Sequence, residues 1–406
     1  MSTNKELIEN IMEEFRGISF NEFLTLSYSE INARIKKHVN KIWIKTVVAF
    51  RIGHMAENTD EFFRHHYLFE NDYVRKKEAV ILLNPADVSC NEQLYKMLKR
   101  RLPMVDGPFM RSMIANLKKN DPDLWNIETL FKSTIDYNVF NSAPPQISFT
   151  DEEEEEGRRL LERIGIEEGA PFVCFANRDN AYLSSSLDEN DWSYHSHRNS
   201  DIESFMDAAK YLSDKGYYCI RMGNLVEKPL SNSSKRIIDY ATTSRSDFGD
   251  IYLSAKCRFF IGDPTGIIFV PSMFNIPVVG VNLVPFGGTV PCYSKDLYIP
   301  KKFWYRQEER YLTYTELLES RMPEWGQYEF NYSELGVEVI NNTPEEIFDV
   351  TKEMHLRLNG ELPDSSDDIY LLEKYNNMFT SDDTPYGAPS RIGIDFLNKN
   401  RHLFGF

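Results

Sequence analysis

Apolar residues recur at helical spacing from the first positions of the chain, with Leu7, Ile8, Ile11, Met12 and Phe15 on one face. Tyr28, Ile31, Ile35, Val39 and Ile42 form a second stripe and predict a helix over residues 20–43. The pattern then changes to short apolar runs alternating with amphipathic stretches. TVVAF (46–50) and AVILLN (79–84) read as buried strands, with helices expected from about 51 to 66, over 92–100 and over 109–120. Beyond residue 150 a second set follows, with strands at 171–175, 217–221, 258–263 and 276–284 and helices at 201–215, 249–255 and 344–358. Unbroken apolar strands in a strand–helix–strand rhythm are the mark of a parallel sheet covered by helices on both faces.

NSAPPQIS (141–148) reads as a linker between the two sets, and the acidic run 151–156 as the solvated first turn of a helix. The expected organisation is a helical extension (1–45), a Rossmann-like acceptor domain (46–145), a Rossmann-like donor domain (150–358) and a loop-rich tail (359–406) packing back on the first domain. The fold class is α/β, two Rossmann-like domains facing each other across a cleft, as expected for 406 residues.

Composition narrows the function classes. With 46 Lys+Arg against 62 Asp+Glu, the net charge of −16 argues against a nucleic-acid binder. Five scattered cysteines without a C-x-x-C fit a reducing cytoplasm. The opening MSTNKELIENIMEEF does not read as a signal peptide. The uncharged stretch 267–286 is long enough to span a bilayer, but three prolines interrupt it. A short helix, a turn at Asn275 and a buried strand fit better. Residues 31–56 contain no acid but include Arg34, Lys36, Lys37, Lys41, Lys45 and Arg51. Residues 34–51 are therefore either a basic surface for anionic lipid or an ordinary solvated face.

In open α/β sheets ligands bind beyond the carboxyl ends of the strands, so residues just after each strand carry the candidate chemistry. Arg51, Gly53 and His54 follow the first strand, where glycine permits close backbone approach; a structural turn fits them equally. Arg178 and Asp179 follow PFVCF, with Tyr182 close behind. The arginine can grip a diphosphate and the aspartate can hold a loop or a hydroxyl, though a local salt bridge is the plain alternative. Tyr194, Arg198, Asn199 and Asp201 gather at a helix start, while Ser200-x-x-Glu203 has the pattern of a capping box. His195 and His197 lack a third ligand at metal spacing. Arg221 and Gly223 repeat the arginine at the end of a neighbouring strand, so two arginines would converge on one polyanion. Asp263-Pro264-Thr265-Gly266 opens a helix with small residues and suits a phosphate, but it has neither a Walker lysine nor G-x-G-x-x-G.

FRIGHMAENTDEFFR, FVCFANRDNAYL, YHSHRNSDIESFMDAAKYLSDKGYYCIRMGN and FFIGDPTGIIFVPSMFNIPVVGVNLVPF occur in that order over most of 45–350. Together they resemble a family of bacterial surface-polysaccharide glycosyltransferases. The Arg-Asp pair is, more distantly, similar to the Arg-containing motif of the fucosyltransferase superfamily. The resemblance implies a GT-B architecture with the nucleotide-sugar donor held by the second domain, the acceptor by the first, and no metal or cofactor. On the donor side it implies Arg178, Asp179, Arg221, Asp263, Thr265 and Gly266. Tyr182, Arg198, Asn199 and Gly223 complete the expected donor contacts, with Arg51 and Gly53 on the acceptor side. His54, Glu57 and Asp179 are the candidate bases. Ala176 stands where relatives carry a histidine before the Arg-Asp pair, which leaves the base open.

The expected activity is transfer of a sugar from a nucleotide-sugar donor to a glycan or lipid-linked acceptor. The expected place is the cytoplasm, peripheral to the inner face of the membrane, with no nucleic-acid partner. A nucleotide-sugar epimerase and a non-catalytic nucleotide- or glycan-binding protein are the alternatives.

Overall fold

The computed structural model describes residues 3–130, 135–179, 181, 197–231, 234–320 and 332–406. The chain divides into two compact units, Met1–Phe149 and Thr150–Phe406.

The first unit is built on four parallel strands, β1 (Lys41–Thr46), β2 (Glu78–Asn84), β3 (Met104–Asp106) and β4 (Trp125–Thr129), in the order β3-β2-β1-β4. The first strand is KIWIKT rather than TVVAF. Ile42 and Ile44 point into the core, while Val47 and Ala49 are buried just after the strand ends. The region read as one long helix holds two, Phe20–Thr25 and Tyr28–Ile35, and Ser27 caps the second through Glu30. Leu7, Ile8, Ile31 and Ile35 share a core with Ile42, Ile44 and Leu117. The segment expected as an extension is therefore part of this unit.

Acids brought from elsewhere in the fold partner part of the basic run. Lys36 pairs with Asp121, Lys37 and His38 pair with Glu14, and Lys45 pairs with Glu128.

In the second unit, strands β5 (Phe172–Ala176), β6 (Tyr218–Arg221), β7 (Ile237–Ile238), β8 (Phe260–Gly262), β9 (Val278–Leu283) and β10 (Leu297–Pro300) form most of a parallel sheet. Next, β11 (Lys302–Tyr305), β12 (Arg310–Tyr311) and β13 (Val337–Ile340) make a small antiparallel sheet that the sequence reading missed. The main sheet is completed by β14 (Arg391–Ile392), giving the order β14-β10-β9-β8-β5-β6-β7.

The helix Asp151–Arg163 starts at Thr150 with a capping box, and Asp151, Glu152, Glu153 and Glu154 lie in its first turn, where the helix dipole favours them. The uncharged stretch folds as the short helix Phe269–Ser272, a left-handed Asn275 (φ 57°) and the fully buried β9. No helix among the described residues is long and apolar enough to cross a membrane.

The tail, expected to fold back on the first domain, is held by elements of the second unit. Its strand β14 pairs with β10, the Ile394 amide donates to Glu353 (2.7 Å), and Arg391 forks onto Asp364 (2.7 and 2.8 Å). Phe404 stacks on Tyr314 with ring centroids 4.4 Å apart. Burying these rings is what fixes the tail there.

Candidate functional site

Each parallel sheet reverses its winding beside its first strand. In the second unit the chain runs outward from β5 to β6 and β7, then returns to β8 on the other side of β5. Connections that leave neighbouring carboxyl ends in opposite directions open a crevice there. Residues 177–179 and 263–266 stand at this crevice. In the first unit β2 and β3 lie on one side of β1 and β4 on the other, so its crevice falls after Thr46, where residues 47–51 lead into the helix Ile52–Arg75.

Asp263 organises the crevice of the second unit. It is 0% exposed; Oδ2 accepts from the Arg178 amide (2.9 Å) and the Ser200 hydroxyl, and Oδ1 accepts from Asn282 Nδ2 (2.8 Å). Burial raises its pKa, and these bonds counter the rise. Asn282, left-handed at φ 54°, exchanges two 2.6 Å bonds with Asn342 and thereby holds the end of β9.

A second anchor is Lys301, 1% exposed, whose ammonium donates to His197 O (2.7 Å), Asn199 O (3.1 Å) and Asn341 Oδ1 (2.6 Å). Arg198 Nη2 donates to Pro264 O (2.8 Å), Asn177 Nδ2 to Ser200 O (2.9 Å), and the Ser200 amide to Arg178 O (3.0 Å). The segment 197–200 is thus laced to the ends of β5, β8 and β10. Burial lowers the Lys301 pKa to about 8, with Asp263 opposing the shift and the Arg198 and Arg178 charges adding to it.

Lys301 thus acts on the buried Asp263 carboxylate, and the charges of Arg178 and Arg198 act on Lys301 in turn. Thr265 Oγ1 is buried here without a hydrogen-bond partner among the described residues. Gly266 begins only a three-residue turn, Gly266–Ile268, ahead of the four-residue helix Phe269–Ser272. The expected helix dipole is accordingly small, and the Thr265 hydroxyl is the donor this turn offers instead. This arrangement suits a phosphate or diphosphate.

Several expected site residues have other work. Arg221, 1% exposed, donates to Lys228 O (2.7 Å) and lies 3.4 Å from Asp239, so it braces the 222–230 strap. Asp179 accepts from the Ala181 amide and the Glu227 amide (both 3.1 Å), one on each oxygen, and so ties two loops together. Gly223 lets the same strap fold back, since a Cβ there would meet Val226 at 2.7 Å. Asp201, not Ser200, caps the turn Ile202–Phe205; Ser200 instead serves Asp263. Asn199 enters through its backbone carbonyl. Tyr182, Tyr194 and His195 lie outside the described residues.

The sequence reading missed Lys301, Ser200 and Asn282. Lys301 sits in a Lys-Lys pair that looks like surface charge, and Asn282 is hidden in an apolar run.

At the crevice of the first unit, Arg51 is exposed with its guanidinium over the Phe50 ring, and Gly53 lies in the first turn of the helix. His54 Nδ1 is 3.2 Å from Asn58 Oδ1. Glu57 is half-buried, its Oε1 has no hydrogen-bond partner among the described residues, and burial, reinforced by the Glu61 charge, pushes its carboxyl up to about 8. Among the described residues no cluster of three or more His, Cys, Asp or Glu side chains could hold a metal ion.

No protein-family model matches the chain, and neither does any curated protein. Among solved structures it is similar to E. coli ADP-heptose LPS heptosyltransferase II, at 12% identity over 64% of this chain and 90% of that one, with a TM-score of 0.41. It is also similar to a glycosyl transferase of family 9 from Veillonella parvula, at 11% identity over 79% of this chain and 98% of that one, with a TM-score of 0.42. A third similarity is to the iron-containing dodecameric glycosyltransferase TibC from enterotoxigenic E. coli, at 12% identity, 60% and 58% coverage and a TM-score of 0.32.

Proposed function

We propose that the protein is a glycosyltransferase that moves a sugar from a nucleotide-sugar donor to a glycan or lipid-linked acceptor of bacterial surface polysaccharide. It would work at the cytoplasmic face of the membrane and without a metal. The observation that carries this reading is the cationic group Arg178, Arg198 and Lys301, whose charges act on one another, with Arg198 bonded to the 263–266 turn at the crevice of the second unit's sheet.

In the reaction the acceptor oxygen attacks the anomeric carbon, the bond from that carbon to the diphosphate breaks, and the acceptor proton passes to a base. Arg178 and Arg198 would stabilise the charge growing on the leaving nucleoside diphosphate, with the Thr265 hydroxyl as a further donor. If the reaction inverts, Glu57 is the favoured base, since a carboxyl raised to about 8 is matched to neutral pH; His54 is the second choice. An epimerase would need acid/base groups of its own at the sugar. The carboxylates of Asp179, Asp239 and Asp263 all accept hydrogen bonds within the fold, which gives that alternative little support.

The test is thermal shift with ADP, UDP, GDP and CDP, with and without EDTA, on wild type and Arg178→Ala, followed by a transfer assay. One nucleotide should raise the melting temperature, by up to about 2.7 kcal/mol of stability at a hundred times its Kd. The shift should survive EDTA and be lost in Arg178→Ala. No shift with any nucleotide would sink the reading. Epimerised donor without acceptor would identify an epimerase, and binding without turnover a binding protein.

A further inference from the structure

The Lys301 ammonium is fully engaged inside the protein. An ammonium has three N–H donors, and all three are taken, by His197 O, Asn199 O and Asn341 Oδ1. None remains for a ligand. Its main chain is pinned on both sides, the amide donating to Leu283 O (2.9 Å) and the carbonyl accepting from Tyr314 Oη (3.1 Å). A charged side chain on so fixed a base grips the 197–200 segment by two of its backbone carbonyls. That segment carries Arg198 against Pro264 and Ser200 against Asp263.

Resting on the donor-site reading above, we propose that Lys301 is a positioning residue for diphosphate binding. It fixes the 197–200 segment so that Arg198 stands at the 263–266 turn, and it does not touch the ligand.

The charges that face it are Asp263 after β8, Arg178 after β5 and Arg198 on the segment itself; its neighbour Lys302 is tied to Glu346 (2.8 Å). Loss of the Lys301 proton removes one of three anchoring donors and the attraction to Asp263, so the segment loosens. Burial places that event at about pH 8. The second ionisation of a terminal phosphate, near pH 6, is over before then. A fall in affinity on the alkaline side therefore reports on the protein.

The experiment is calorimetric titration of the full chain with the nucleoside diphosphates above and with inorganic pyrophosphate, from about pH 7 to 9.5. Wild type, Lys301→Arg, Lys301→Met and Arg178→Ala are compared, and each is first checked by its melting curve. For the nucleotide that wild type binds, Kd should rise by up to about 30-fold across this range, as the competent fraction shrinks. Lys301→Arg should bind with a flat profile, and Lys301→Met should bind weakly even at pH 7. Arg178→Ala should weaken binding at every pH while keeping the slope. If Lys301→Met does not fold, the wild-type slope against the Lys301→Arg profile decides. A flat wild-type profile, or full affinity in folded Lys301→Met, overturns the proposal and leaves the donor site standing. Failure of wild type to bind any of the probes overturns both.

Discussion

A carboxyl group held away from water keeps its proton to higher pH, because its charged form loses the most solvation. Glu57 is such a group, raised from 4.5 to about 8, and Asp60 and Asp250 shift the same way, to about 6 and about 7. The folded state then binds protons more tightly than the unfolded state. Their contribution to stability is complete below the unfolded pKa and is lost as pH rises through the folded one. Buried His66 runs opposite: its pKa falls from 6.5 to about 4, so its contribution is complete above 6.5 and is lost on acidification through about 4. Glu57→Gln should therefore flatten the decline between about pH 4.5 and 8, by at most ~1.4 kcal/mol per pH unit. Urea unfolding at about pH 5 and 8.5 checks this: equal pH dependence in variant and wild type would refute the burial of Glu57. Arg178 and Arg221 look alike in sequence, each ending a strand before a polar turn. What separates them is Asp239, eighteen residues beyond Arg221, a partner that no local motif announces.

Among elements, the strap 222–230 shows how the edge of the sheet is held. Arg221, Asp239 and Asp179 bond its backbone, and Lys228 reaches Asp201 (2.9 Å). Arg221→Ala would leave the strap untied and Asp239 uncompensated, and losing one partner of a buried pair costs about 3–5 kcal/mol. We expect a lower melting temperature and early proteolytic cleavage within 222–230, with nucleotide affinity falling only as far as the fold loosens. A variant of normal stability that has lost nucleotide binding would return Arg221 to the donor contacts. The alternation of strands and helices was legible here because a buried parallel strand is an unbroken apolar run, as in FVCFA and VVGVNL. KIWIKT was not legible, since its lysines lie along the strand and Ile42 also fits a helical stripe. The antiparallel β11, β12 and β13 are too short, at two to four residues, to impose a period.

For the whole molecule, Arg178, Arg198, Asp263 and Lys301 all lie in the unit Thr150–Phe406, which has its own core around Cys174, Ile220 and Phe260. Residues 150–406 expressed alone should fold and bind the same nucleotide with a similar Kd while transferring no sugar; circular dichroism and calorimetry would show it. A fragment that melts without cooperativity would mean the unit depends on the first one. The proline pair at 144–145 and the capping Thr150 fall close to the division, so much of that boundary is written locally. The seating of the tail is not, because it depends on rings such as Phe404 and Tyr314, about ninety residues apart in the chain.

That seating also sets an order of events during synthesis. The ribosome delivers β10 about ninety residues before β14, the strand that covers it. At roughly 5–20 residues per second, the flank of β10 stays open for about 5–18 seconds. An unpaired strand edge is a template for other chains. The nascent protein therefore passes through a window in which its main sheet invites aggregation, and slow translation of 301–390 would lengthen it.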